Sequence, residues 1–222
     1  MASRILGVWL APNGDSTTQT KEFLALTTAW ADRVRTGHLK QGDAWTYYQT
    51  TIQKSLEYPL LATTLSEEQC RKVEQPALTV ALHSSSLPSN FPRDILYGPK
   101  GKLGLGASRL FTTQGLKHIQ AILNHGNLND ITGQQIRANI ELHKLELGIG
   151  TSLFRSNPKV FGICTTSLWL THTWDFMWKY NCIIEEETPC LSLQRENDVF
   201  IMEAFAAAGY QGAKLATLNQ CR

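Results

Sequence analysis

The sequence predicts a mostly α-helical protein: a helical bundle followed by a second helical region, with a short N-terminal β-strand and little other strand. Apolar residues recur at helical spacing, as in Phe23, Leu26, Trp30 and Val34, or Trp45, Tyr48, Ile52 and Leu56. Helix-start signals precede such stripes, the clearest being the capping box Ser66-Glu67-Glu68-Gln69. The strand is Ile5-Leu6-Gly7-Val8-Trp9-Leu10, which breaks at the turn signal Pro12-Asn13-Gly14-Asp15.

That strand and turn occupy residues 1–15. The next hundred residues read as helix, so the strand is expected to stand alone and the chain to be the rear part of something larger. Residues 16–36 form the first helix, stopped by Gly37. A second runs from about Gly42 to Glu57, with Lys54 opposite its apolar face, and Pro59 ends it. The third places Cys70, Val73 and Ala77 inward, with Pro76 expected to kink or split it. Residues 16–82 therefore make a compact antiparallel unit.

Pro88, Pro92 and Pro99 mark the best boundary, and residues 83–111 read as a Pro/Gly-rich connector. Residues 112–222 form the second helical region. One helix lies near residues 113–124. Another lies near 134–147 with a Thr132…Gln135 capping box and a face of Ile136, Ile140, His143 and Leu147. An apolar segment over 165–180 carries Trp169, Trp174 and Trp178. A β-like Ile183-Ile184 precedes a last helix near 197–208, closed by Gly209.

The chain has 222 residues, enough for one large domain or two small ones. Charged residues are 18%, below the roughly 25% usual in soluble domains, and the net charge of +2 decides nothing about nucleic acid. Cys70, Cys164, Cys182, Cys190 and Cys221 are odd in number and lack any CxxC, which fits free thiols in a reducing compartment. No stretch approaches the roughly 20 apolar residues of a membrane span. The expected setting is intracellular, with no membrane partner.

Catalytic chemistry is not apparent. Carboxylates are dispersed, and the one dense run, Glu185-Glu186-Glu187, reads as a solvated face rather than a metal site. The separations of Cys164, His172, Cys182 and Cys190 do not match short-pair zinc ligands. His83-Ser84-Ser85-Ser86 has no nucleophile elbow, and His143 reads as a hydrogen-bonded core histidine. Gly101, Gly104 and Gly106 fit no phosphate-binding fingerprint and read as a chain reversal. Lys100, Lys102 and Arg109 beside them leave contact with a phosphate backbone open. The tryptophan helix, apolar on both faces, points to a core or an interface. A basic cluster of Arg33, Arg35, His38 and Lys40 flanks the end of the first helix, where cations suit either the helix dipole or a phosphate backbone.

The order of these segments resembles the part of a non-LTR (LINE-like) retrotransposon reverse transcriptase that follows the catalytic palm. Ile5 to Leu10 is similar to the hydrophobic-Leu-Gly-hydrophobic strand that closes the palm. The helices up to Leu82, with Trp30-Ala31-Asp32-Arg33-Val34-Arg35 and the Tyr58-Pro59 break, are similar to the helical thumb. Tyr97-Gly98-Pro99 with Gly104-Leu105-Gly106 looks like the glycine-rich segment after the thumb, departing from it where Lys102-Leu103 replaces a glycine pair. The paired aspartates of the family's catalytic signature are absent, so the resemblance implies no catalytic residue, no metal ligand and no cofactor in this chain. Magnesium belongs to the complete polymerase. It implies contact with RNA template, RNA–DNA hybrid and the palm of a parent polymerase. The nucleic-acid contacts expected are Arg33, Arg35 and Lys40, then Lys54 and Lys102. A helical protein-binding module using the Trp169–Trp178 segment, or a decayed reading frame without activity, are the alternatives.

Overall fold

A computed structural model describes residues 2–165, 167–184 and 198–222. The glutamate run 185–187, Cys190 and Asn197 lie outside the described residues. Among the described residues the protein is mostly helical, with one two-stranded sheet. It divides into two compact units, Met1–Lys117 and His118–Arg222, each with its own apolar core.

The first unit opens with a hairpin rather than a lone strand. Strand β1 (Ser3–Ile5) pairs antiparallel with β2 (Val8–Leu10), Ser3 opposite Leu10 and Ile5 opposite Val8. Leu6 and Gly7 form its tip with φ of +49° and +86°, the double left-handed geometry of a tight hairpin turn. The apolar run 5–10 is thus the last residue of one arm, the turn and the second arm, and the first arm begins in the polar Ser3-Arg4 stretch that strand propensity passes over. The Trp9 amide donates to Oε1 of the buried Gln19 at 2.7 Å, fastening β2 to the next helix.

Helix α1 (Thr17–Thr36) buries Gln19, Phe23, Thr27, Trp30, Ala31 and Val34. Thr27 sits on the stripe where Leu26 was expected, its hydroxyl satisfied by Leu24 O at 3.0 Å. Gly37 follows the helix as expected, yet the left-handed residue is His38, at φ +47°. Gly37 is required for space: a Cβ there would stand 2.8 Å from Arg33 O.

Helices α2 (Gln41–Tyr47) and α3 (Gln53–Glu57) are joined by a π turn over Tyr48–Ile52. The α-helical rod ends at Glu57, directly before Tyr58-Pro59, as expected. Pro59 itself sits at the start of the 3₁₀ turn that follows, Tyr58–Ala62, where a missing amide hydrogen costs nothing. Helix α4 (Glu67–Ser84) begins at the Ser66/Gln69 capping box and runs unbroken through Pro76. Val73, Ala77, Val80 and Ala81 are buried on it and belong to the core shared with Trp30, Ala31 and Val34 of α1. Burial of that face offsets the roughly 3 kcal/mol a mid-helix proline costs.

Residues 83–111 pack within the first unit. Helix α5 (Arg93–Tyr97) contributes the fully buried Leu96, and Ala107 and Leu110 join the same core. The chain returns on itself through Leu105 N to Ile95 O, Gly106 N to Gly98 O and Ala107 N to Leu96 O, all 2.9–3.0 Å. Gly104 and Gly98 meet backbone to backbone, and a Cβ on Gly104 would lie 2.1 Å from Gly98 O.

Helix α6 (Leu110–His125) contains the division at Lys117/His118. In the second unit, helix α7 (Ile131–Leu147) is capped by Asp130, whose Oδ1 accepts from Gly133 N at 2.6 Å. No Thr132…Gln135 box forms, because Thr132 already lies inside the helix. A short α8 (Pro158–Phe161) leads to α9 (Leu168–Lys179), which buries Leu170, Thr173, Trp174, Phe176 and Met177. Ile183 and Ile184 are not in a strand. Helix α10 (Ile201–Ala207) is followed by Gly209 at φ +89°, and then by α11 (Gly212–Gln220), which sequence reading did not anticipate. Asn219 and Arg222 donate to the carbonyls of Glu146 and Leu145, closing the C-terminal end of α7.

Candidate functional site

The cations expected to touch phosphate fall into two groups in the structure. Arg33, Arg35 and Lys40 stand together along the chain at the corner between α1 and α2, whereas Lys54 and Lys102 stand on other elements.

The corner is built by the backbone. Arg33 and Arg35 occupy the last turn of α1, where positive charge is favoured by the helix dipole. Arg33 Nε donates to Ala29 O at 3.2 Å, which lays its guanidinium along the helix surface. Arg35 Nη1 meets Asp32 Oδ1 at 3.0 Å, with both side chains more than half exposed. Such a pair is worth at most about 1 kcal/mol and is easily exchanged for another anion. Gly37 and His38 then turn the chain. Lys40 takes extended backbone as the N-cap of α2, its carbonyl accepting from Asp43 and Ala44 at 2.9 and 3.2 Å. Its side chain is directed to solvent. Among the described residues neither Arg33 nor Lys40 makes an ion pair.

Lys54 is committed elsewhere, since its ammonium lies 3.1 Å from both carboxylate oxygens of Glu57. Lys102 is exposed in the turn Lys100–Lys102, with no ion pair among the described residues. Lys100 donates to Gln49 Oε1 at 3.1 Å, and Arg109 lies over the Tyr97 ring at 4.5 Å.

The glycine-rich segment is a structural return, as its spacing implies. Its amides are spent on Ile95, Gly98 and Leu96, and its carbonyls accept from one face of the α2–α3 rod. Trp45 Nε1 reaches Leu105 O at 3.3 Å, Gln49 Nε2 reaches Leu105 O and Gly106 O at 3.0 and 3.1 Å, and Gln53 Nε2 reaches Ser108 O at 3.0 Å. Sequence reading missed this clasp. The signal was present in polar donors recurring every four residues, but an exposed helix face reads the same way.

In the second unit, His143 is buried and its Nε2 lies 2.5 Å from Thr165 Oγ1. Burial pushes its pKa down, against the pull of the Glu146 carboxylate at 3.9 Å, so the imidazole is a neutral core group. Trp174 is fully buried with Nε1 donating to Ser156 O at 2.9 Å, and Trp169 packs on the same core. Only Trp178 of the three is substantially exposed. Among the described residues no three His, Cys, Asp or Glu side chains converge as a metal site, and the cysteines there are free. No described helix is long and apolar enough to cross a membrane.

Set against family models, curated proteins and solved structures, the chain matches none of them.

Proposed function

We propose that this chain is a non-catalytic grip on nucleic acid, the thumb and post-thumb part of a LINE-like reverse transcriptase, holding an RNA–DNA hybrid by its phosphates. The observation that carries the reading is the α1–α2 corner, where Arg33 and Lys40 are exposed without ion pairs among the described residues and Arg35 is paired with a surface carboxylate. Backbone contact of this kind carries no sequence information, which suits a protein that must pass along any template. In this reading the palm of the parent polymerase and its magnesium lie outside this chain, and the chain alone does not polymerise.

Hybrid affinity measured against salt tests the reading. Each phosphate neutralised contributes about 0.7–0.9 to the slope of log affinity against log salt, so the corner should give a slope of roughly −2 to −3. R33E and K40E are expected to weaken binding at every hybrid sequence alike and to flatten that slope. R35E should do less, since Asp32 already offsets the Arg35 charge. A flat salt response, or affinity unchanged in R33E/K40E, overturns the reading.

A further inference from the structure

The first unit also contains a cleft of about 510 Å³ beside α4, lined by none of the residues assigned to the hybrid. Its floor is apolar: Cys70, Leu78 and Leu82 are buried, and Phe111 is half-buried. Its rim carries three exposed guanidinium groups, Arg71 and Arg93 with Arg109. Among the described residues none of the three is in an ion pair, in contrast to Arg35 and Lys54. Arg109 is stacked over the Tyr97 ring, which fixes one planar wall. Glu74 sits in the same cleft with its carboxylate accepting from the Leu110 amide at the start of α6.

We propose that this cleft binds a phosphate monoester whose body includes a flat aromatic ring, of the size and kind of a nucleoside monophosphate. Planar, multiply donating guanidinium groups match phosphate oxygens, and three of them on one rim supply more donors than a single oxygen needs. The volume falls in the range of organic-ligand sites and far exceeds an inorganic anion. The apolar floor then suits the faces of the ring, between Phe111 and the Tyr97–Arg109 stack.

Glu74 makes the binding depend on protons. Burial pushes its carboxyl up to about 7, against the Leu110 hydrogen bond and the nearby Arg109 and Arg93 charges. Ionised, it repels an incoming phosphate; protonated, it does not. Glu67 lines the same cleft as a second, exposed carboxylate. Tyr48, Cys70 and Tyr97 also face Glu74, and burial raises all three, so they stay neutral between pH 7 and 8.5. Arg93 and Arg109 face it as well. The phosphate's own second ionisation, near pH 6, lies below that range.

Calorimetric titration of the full chain with AMP, adenosine and inorganic phosphate tests the proposal, with circular dichroism confirming the helix content of each variant. AMP should bind more tightly than either half of it. R71Q and R93Q, both altering exposed side chains, should each weaken AMP at least tenfold. Between pH 7 and 8.5 the wild-type affinity should fall, and E74Q should bind more tightly at pH 8.5 and abolish most of that fall. AMP binding no better than adenosine or phosphate, or unaltered in both arginine variants, overturns the proposal. The inference rests on the cleft alone: the hybrid titration reads Arg33 and Lys40, so either result can fail without the other.

Discussion

Leu103 holds φ at +63° with 92% of its side chain exposed, so it carries left-handed strain and gains little from packing. A glycine in its place relieves the strain at a small entropic cost, and L103G should raise the unfolding free energy by about 0.5–1 kcal/mol in urea titrations. One residue further on the tolerance reverses. The Gly104 Cα faces the Gly98 carbonyl so closely that G104A has to push backbone from backbone, and a loss of about 2 kcal/mol or more is expected in the same measurement. Glu74 supplies the pH dependence. Its carboxyl titrates near 4.5 when unfolded and near 7 when folded, so the native state holds the proton longer. Stability is therefore greatest below pH 4.5 as far as this group is concerned, and is lost as pH rises to 7, by an amount on the order of 2–3 kcal/mol. Gln keeps an acceptor for the Leu110 amide and cannot ionise. E74Q should match the wild type near pH 5 and exceed its urea midpoint at pH 8. Some of this scale was legible beforehand: Ser66 and Gln69 announce their reciprocal cap in four letters, and His143 stands in an apolar stripe. Glu74 and Leu110 lie 36 positions apart, and no local pattern joins them.

Gln114 shows how elements are fastened together. It is fully buried on α6, where its amide accepts from the Thr63 hydroxyl at 2.9 Å and the Leu65 amide at 3.1 Å, and donates to Leu65 O at 3.0 Å. Q114L would leave those groups buried without partners, and a loss of about 2–4 kcal/mol is expected by chemical denaturation. A glutamine among polar helix residues carries no mark of that duty, so its role becomes visible only once the loop before α4 lies against it. The same division holds for whole elements. Helices α1, α4 and α7 were readable from long apolar stripes, because 17 or more residues average out single exceptions. The hairpin was misread because its first arm is polar and exposed. Helix α11 was missed because Leu215 is its one buried residue, too little to set a period. Pro76 was read as a break because local chemistry says so, and long-range burial of α4 overrides it.

At the scale of the molecule, a helical fold was legible and its partition was not. The prolines over 88–99 look like a linker, yet Leu96, Ala107 and Leu110 are core residues of the first unit, and the division falls inside α6, where no composition change marks it. Each unit buries its own set of fully enclosed side chains, Leu60 and Leu65 in the first, Leu153 and Met177 in the second. L60A should cost about 2–5 kcal/mol and lower amide-exchange protection chiefly within residues 2–117, while L153A should do so chiefly within the described residues beyond 118. Each core also encloses one indole, Trp30 hydrogen-bonded to Thr51 and Trp174 to Ser156, both nearly inaccessible to solvent. Each unit holds three tryptophans, and these two are the ones shielded from water in the native state. Subtracting the emission of W30F or W174F from that of the wild type isolates each enclosed indole, whose colour then reports when water first enters its own half of the chain.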